Sequence, residues 1–157
     1  TVNELERLTA EKAEADRFSK EFYELAESLV QRGVEQWGLA NYQDAVAVSE
    51  AAQQAYDATQ FITAKETWQE GIGRLQAMNT RAAELLGEAL ARGQSALERG
   101  QRQAAEREFQ VALQLDPGNA TATAGMARAK HIEAVFSLMA EGEALERQGR
   151  FEEARDA

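Results

Sequence analysis

Apolar residues recur at every third or fourth position along most of the chain, the spacing of a helix face, and few runs alternate apolar with polar residues as strands do. Leu8, Ala15, Phe18, Phe22, Leu25 and Leu29 make one such stripe, with Asn3 or Thr9 placed to open its helix. Between residues 58 and 99 no proline or turn cluster intervenes. Phe61, Trp68, Ile72, Leu75, Ala82, Leu86, Ala89, Gly93 and Ala96 keep a 4-3 spacing there, with Lys65 and Asn79 in the remaining slots. The pattern predicts one long helix of roughly 50–60 Å at 1.5 Å per residue. Thr63 and Glu66 would form a capping box if it starts there. Residues 120–147 read the same way, with Ile132, Val135, Met139 and Gly142 in 4-3 spacing. The one proline, Pro117, sits in Asp116-Pro117-Gly118-Asn119 and ends the helix that carries Phe109, Ala112, Leu113 and Leu115. The predicted class is all-α, without a sheet.

Three windows share a frame: GVEQWGLANYQDA at 33–45, GQSALERGQRQAA at 93–105 and GEALERQGRFEEA at 142–154. Each opens on glycine (Gly33, Gly93, Gly142) and closes on alanine (Ala45, Ala105, Ala154). A small residue stands seven places after the first glycine, at Ala40, Gly100 or Gly149, and Tyr42, Arg102 or Phe151 follows two places later. Glycine inside a helix costs roughly 1 kcal/mol against alanine, so it is kept where a second helix approaches closely. Just past a helix end it adopts the left-handed conformation that caps the helix. Each window therefore predicts a helix end, a tight turn and an antiparallel partner helix opened by Tyr42 or Phe151.

The middle unit, with Gly93, Gly100, Ala105, Phe109, Ala112, Leu113, Asp116 and Pro117, resembles a tetratricopeptide repeat, and residues 86–119 supply a full 34-residue unit of that pattern. The other windows depart further from it. Ser49 stands where the family has a large residue, Tyr56-Asp57-Ala58 stands where units end in Asp-Pro, and Ala89 replaces an early aromatic in the middle unit. The windows start at 33, 93 and 142, intervals of 60 and 49 that exceed the family's 34 by 26 and 15. These excesses differ by eleven residues, about three helical turns, which points to lengthened first helices rather than inserted loops. The expected architecture is a single domain over 1–157, built of units at about 3–57, 58–119 and 120–157. Each unit is expected to be a hairpin of a long helix followed by a short one, and the long helices to pack side by side as an elongated solenoid or bundle.

The resemblance implies a non-enzymatic scaffold that takes a protein or peptide segment in a groove lined by the first helices. Carried over, the groove positions are Val30, Val34 and Trp37, then Leu90, Gln94 and Leu97, then Met139, Glu143 and Glu146. Members that grip a peptide carboxylate use Lys and Asn in these slots, and this chain has neither there. The strip is thus either an open groove for an apolar or amphipathic segment or core covered by neighbouring helices. Trp37 and Trp68 carry the same two readings, packing or exposed anchor. A second function fits the 4-3 stripes: a self-assembling module that dimerises through the long helices, with Asn79 setting the register.

Charge narrows the partners. With 17 Lys and Arg against 27 Asp and Glu the formal charge is −10, which repels nucleic-acid backbones and anionic membranes. No cysteine is present, so disulfides, thiolate chemistry and Cys-type metal sites are excluded. His131 is the only histidine and has no catalytic partner in the pattern; no metal-ligand spacing, nucleophile elbow or phosphate loop occurs. Gly71-Ile72-Gly73 follows no strand and reads as close packing or a weak point in the long helix. No catalytic, cofactor-binding or metal site is therefore assigned. The chain opens on Thr1 and stops at Ala157 inside a helical pattern, so we expect a piece of a longer protein. Similar long-helix repeats occur in membrane-anchored bacterial proteins, a resemblance that implies an extracytoplasmic location without membrane contact by this piece.

Overall fold

The computed structural model describes residues 1–156, with the side chains of 133 and 151–156 outside the described residues. The described residues form helices α1 (Val2–Gln31), α2 (Val34–Trp37), α3 (Leu39–Asp57), α4 (Phe61–Glu98), α5 (Arg102–Leu115) and α6 (Ala120–Asp156), and no strand. The fold is all-α, as the periodicity predicts. The chain divides into two compact units, residues 1–84 and 85–157. The division falls inside α4, so that helix serves a different hairpin with each half; the expected boundary at 57/58 is only a turn.

In the first unit α1 and α4 run parallel: Glu14 pairs with Lys65 at 2.9 Å, Phe22 lies on Gly71, and Arg32 donates to the Asn79 side chain. Helix α3 returns antiparallel, so that the Tyr56 hydroxyl donates to Asp16 and Val48 reaches Gly71. The apolar stripes of α1 and α4 supply the core, in which Phe22, Leu29, Trp68 and Leu75 are fully buried and Ala45 and Ala52 let α3 approach. Burial of large apolar side chains like these contributes about 1.5–3 kcal/mol each. The Trp68 indole N–H is buried with no hydrogen-bond partner. Gly71 is a close-packing glycine, since a methyl group there would lie 2.7 Å from the Phe22 ring; Gly73 is open.

Helix starts differ slightly from expectation. Helix α1 opens at Val2, where the Thr1 ammonium and hydroxyl donate to Glu4 Oε2 at 2.7 and 3.2 Å; Thr9 lies inside the helix, donating to Leu5 O. Helix α4 opens at Phe61 rather than Thr63, because Phe61 is buried against Tyr56 and Gln60 O accepts from Ala64 N–H.

In the second unit Phe109 of α5 is wedged between α4 and α6. A methyl group at Gly93 would lie 2.8 Å from its ring, and one at Gly125 would lie 2.3 Å away. Ala89, Ala96, Ala105, Ala112, Ala122 and Ala129 surround it, all buried. Gly100 turns the chain with φ +67° and is covered by the Phe136 ring, 2.7 Å from where a methyl would stand. The turn at Asp116–Asn119 forms as predicted, and the Asn119 side chain caps α6 by accepting from Ala122 N–H at 2.9 Å.

Two expectations about the windows are corrected. Gly33 and Gly93 share a frame slot but not a role. Gly33 is itself the left-handed turn (φ +68°) after α1, followed by the one-turn helix α2, whereas Gly93 lies inside α4 under Phe109. The third hairpin does not form. Helix α6 runs through Gly142 and Gly149, where added methyl groups would meet nothing within 4 Å. Gly100 turns beneath Phe136 and leads into a helix that buries Phe109, whereas α6 stays helical through Gly149. The side chains of Phe151 and Ala154 lie outside the described residues.

Candidate partner-binding surface

The structure separates the expected groove residues into buried and exposed sets. In the first unit Val34 is fully buried, Val30 is exposed and Trp37 is half-buried, its indole donating to Arg32 O at 3.0 Å. Trp37 thereby closes the turn between α1 and α3. Its free edge lines a cleft of about 310 Å³ with Gly38, Asn41, Asp44, Arg74 and Met78. Nearby, Tyr42 opens α3 half-buried, and burial, then the Glu35 charge, raises its phenol pKa. Ser49 is buried and settles its hydroxyl on Val46 O at 2.8 Å, filling less space than the family's large residue.

In the second unit Leu97 is buried, Leu90 half-buried and Gln94 exposed, with Gln94 Oε1 accepting from Arg128 at 3.4 Å. Val34 and Leu97 are therefore core side chains and line no open groove, because the helices of their own units cover them. Leu97 forms only the floor of a shallow, mostly apolar cleft of about 390 Å³ walled by Ala127, Arg128, Ile132 and Val135. His131, on its rim, is exposed.

The 4-3 stripe of α4, expected as a dimer seam, is also occupied. Trp68, Ile72 and Leu75 are buried in the first unit, and the Asn79 side chain accepts from Arg32.

Helix α6 differs. Its first three turns are buried through Ala122, Gly125 and Ala129, but every described residue of 134–150 is exposed. Val135, Leu138, Met139 and Leu145 are 51, 67, 58 and 68 % exposed, and with Gly142 they fall along one side of the helix. Met139 alone of these is among the expected groove positions. Sequence reasoning missed Leu138 and Leu145, although the interval of 49 residues places them opposite Ala89 and Ala96 of α4, which are buried. Glu141, Glu143 and Glu146 border the strip, with Arg147 donating to Glu143 at 3.2 Å.

Charged side chains elsewhere tie helices together. The Tyr56 hydroxyl and Lys12 hold the Asp16 carboxyl below its usual pKa, and Lys65 does the same for Glu14. Both ties join α1 to the next elements of the first unit. Among the described residues no group of His, Asp and Glu is placed to hold a metal ion, and no helix is long and apolar enough to cross a membrane. Compared with known proteins, the chain matches no family model, no curated protein and no solved structure.

Proposed function

We propose that the chain is a non-enzymatic protein–protein interaction scaffold of the tetratricopeptide-repeat type, and that it presents its binding surface on α6. The carrying observation is the strip of Val135, Leu138, Met139 and Leu145, four large apolar side chains each more than half exposed on one helix face. Exposed large apolar residues are ordinary when scattered; a contiguous set rimmed by charge marks a contact surface. Support for the repeat type comes from the second unit, where long α4 and short α5 form an antiparallel hairpin and Gln94 meets Arg128 at a separation of 34 residues, the length of the family's unit.

The self-assembly reading keeps one observation in its favour. With the α4 stripe buried, the α6 strip is the place where a second copy would pair, and its 4-3 spacing suits helix pairing. Light scattering coupled to size exclusion over a range of concentrations separates the two. A monomer throughout is expected for the scaffold. A dimer that dissociates on Leu138→Glu would put a second copy on α6 and turn the proposal over.

A further inference from the structure

Between α5 and α6 the second unit has a shallow cleft of about 570 Å³, lined by Gln103, Glu106, Arg107 and Gln110 of α5 and by Met126 and Lys130 of α6. Gln103, Arg107 and Gln110 are exposed along one face of α5, and Lys130 is exposed one turn after the half-buried Met126 on α6. Two cations in this cleft lack a partner. Arg107 and Lys130 make no ion pair or hydrogen bond among the described residues. Three and four places from Arg107, where a carboxylate would pair with it, stand Gln103, Ala104, Gln110 and Val111. Every other described Lys or Arg up to Arg147 meets a carboxylate, an amide oxygen or an aromatic ring. The carboxylate in the lining is engaged, since Glu106 accepts from Arg102 at 3.0 Å, and Glu108 beside it accepts from Arg92 at 2.8 Å. A chain of net charge −10 thus keeps two uncompensated positive charges on adjoining helices at one cleft.

The same repeat positions in the first unit are built differently. Steps of 60 residues on the short helix and 49 on the long one carry Gln103, Arg107, Gln110, Met126 and Lys130 back to Gln43, Ala47, Glu50, Ala77 and Arg81. All five are exposed although another hairpin follows them in the chain, so this face stays open where the repeat continues. Alanine stands there in place of Arg107, Glu50 adds a negative charge, and Arg81 pairs with Glu84 at 2.9 Å. The unpaired cations are therefore a feature of the second cleft and not of the repeat position.

We propose that the α5–α6 cleft binds an acidic segment of another protein, with carboxylates of the segment on Arg107 and Lys130 and an apolar side chain on Met126. The planar guanidinium of Arg107 suits a carboxylate, which it takes through two parallel hydrogen bonds. The amides of Gln103 and Gln110 offer donors and acceptors to a peptide backbone, and the thioether of Met126 adapts to apolar side chains of different shape. A nucleic acid fits poorly, because two cations neutralise few phosphates and the acidic remainder of the chain repels them. This cleft is separate from the exposed strip of Val135, Leu138, Met139 and Leu145, and it stands whether or not that strip is a contact surface.

The three methionines make the test site-resolved, because Met126 lies in the cleft while Met78 and Met139 lie outside it. The whole chain, with isotope-labelled methionine methyl groups, is titrated by NMR with the blocked peptide acetyl-Glu-Ser-Leu-Ser-Glu-amide. Its two glutamates and its leucine face one way when the peptide is extended. A saturable shift of the Met126 methyl is expected, with Met78 and Met139 unmoved. Arg107→Gln or Lys130→Gln should weaken binding about threefold each, and the two together about tenfold, the yield of exposed ion pairs. Neither change removes a contact within the fold. A peptide with glutamine in place of both glutamates should lose as much as the double variant does. No shift of Met126 at millimolar peptide, or a shift that survives the double substitution, overturns the proposal. An equal shift with inorganic phosphate at the same concentration also overturns it, by making the cleft a small-anion site. So does a shift of Met139 in place of Met126, which puts the peptide on the α6 strip. A dimer in light scattering that the double substitution dissociates would seat a second copy in the cleft and overturn it likewise.

Discussion

Helices α4 and α6 are built on the same repeat positions and end in opposite circumstances. On α4, Ala89, Gly93 and Ala96 are small and buried, and the space they leave is filled by Phe109. On α6 the matching residues are Leu138, Gly142 and Leu145, and all three are exposed. The two faces share a glycine but differ in what surrounds it. Where α5 covers α4, Ala89 and Ala96 flank Gly93, so that the backbones approach. On α6 the matching positions are large and exposed. A helical glycine can receive a ring, as Gly71, Gly93 and Gly125 do, or stand open, as Gly73, Gly87 and Gly142 do.

The largest test of this contrast is Phe109→Ala. Emptying a fully buried phenyl site costs about 3–5 kcal/mol, so the urea midpoint of the second unit, followed by far-ultraviolet circular dichroism, should fall steeply. A loss no larger than for an exposed residue would mean α5 does not clamp α4 to α6. Next comes Gly125→Ala, where the added methyl would stand 2.3 Å from a ring that has no room to move. Overpacking of about 1–3 kcal/mol should outweigh the gain in helix propensity, and a stabilised variant would break the comparison. Gly142→Ala should have the opposite sign, stabilising by about 1 kcal/mol because the methyl meets nothing and the helix loses a glycine. Destabilisation there would show that the α6 face is already covered. The smallest effect belongs to Leu138→Gln, expected within about 0.5 kcal/mol in the same unfolding experiment, although it removes a leucine.

Much of this is legible in the periodicity. The 4-3 stripe over residues 58–99 places α4 within a few residues of its ends, since a long run without proline or turn residues leaves the chain no alternative to helix. Pro117 and Asn119 announce the turn before α6 in the same direct way. The glycine frame is less transparent. Sequence position alone does not distinguish Gly33, which turns, from Gly93, which receives a ring, because both uses exploit the missing side chain and differ only in what is packed nearby. The third turn is not formed, and α6 stays helical through Gly149. Gly149 matches Gly100 in spacing, and Gly100 turns beneath Phe136 ahead of the buried α5. Of the expected surface, Met139 lies on the exposed strip while Val34 and Leu97 are core, since a family's groove positions presuppose helix offsets that longer first helices do not keep.

Both tryptophans and all three tyrosines fall in the first unit, at positions 37, 68, 23, 42 and 56, and residues 85–157 contain neither type. Trp68 is 1 % exposed, edge-on to Tyr56 at 5.7 Å, and its indole N–H is unpaired. An indole shielded from water emits at short wavelength, so the intrinsic fluorescence of this chain is a spectroscopic window on the first unit alone. Residues 85–157 carry no indole or phenol of their own, so an optical label on α6 has to be brought from outside.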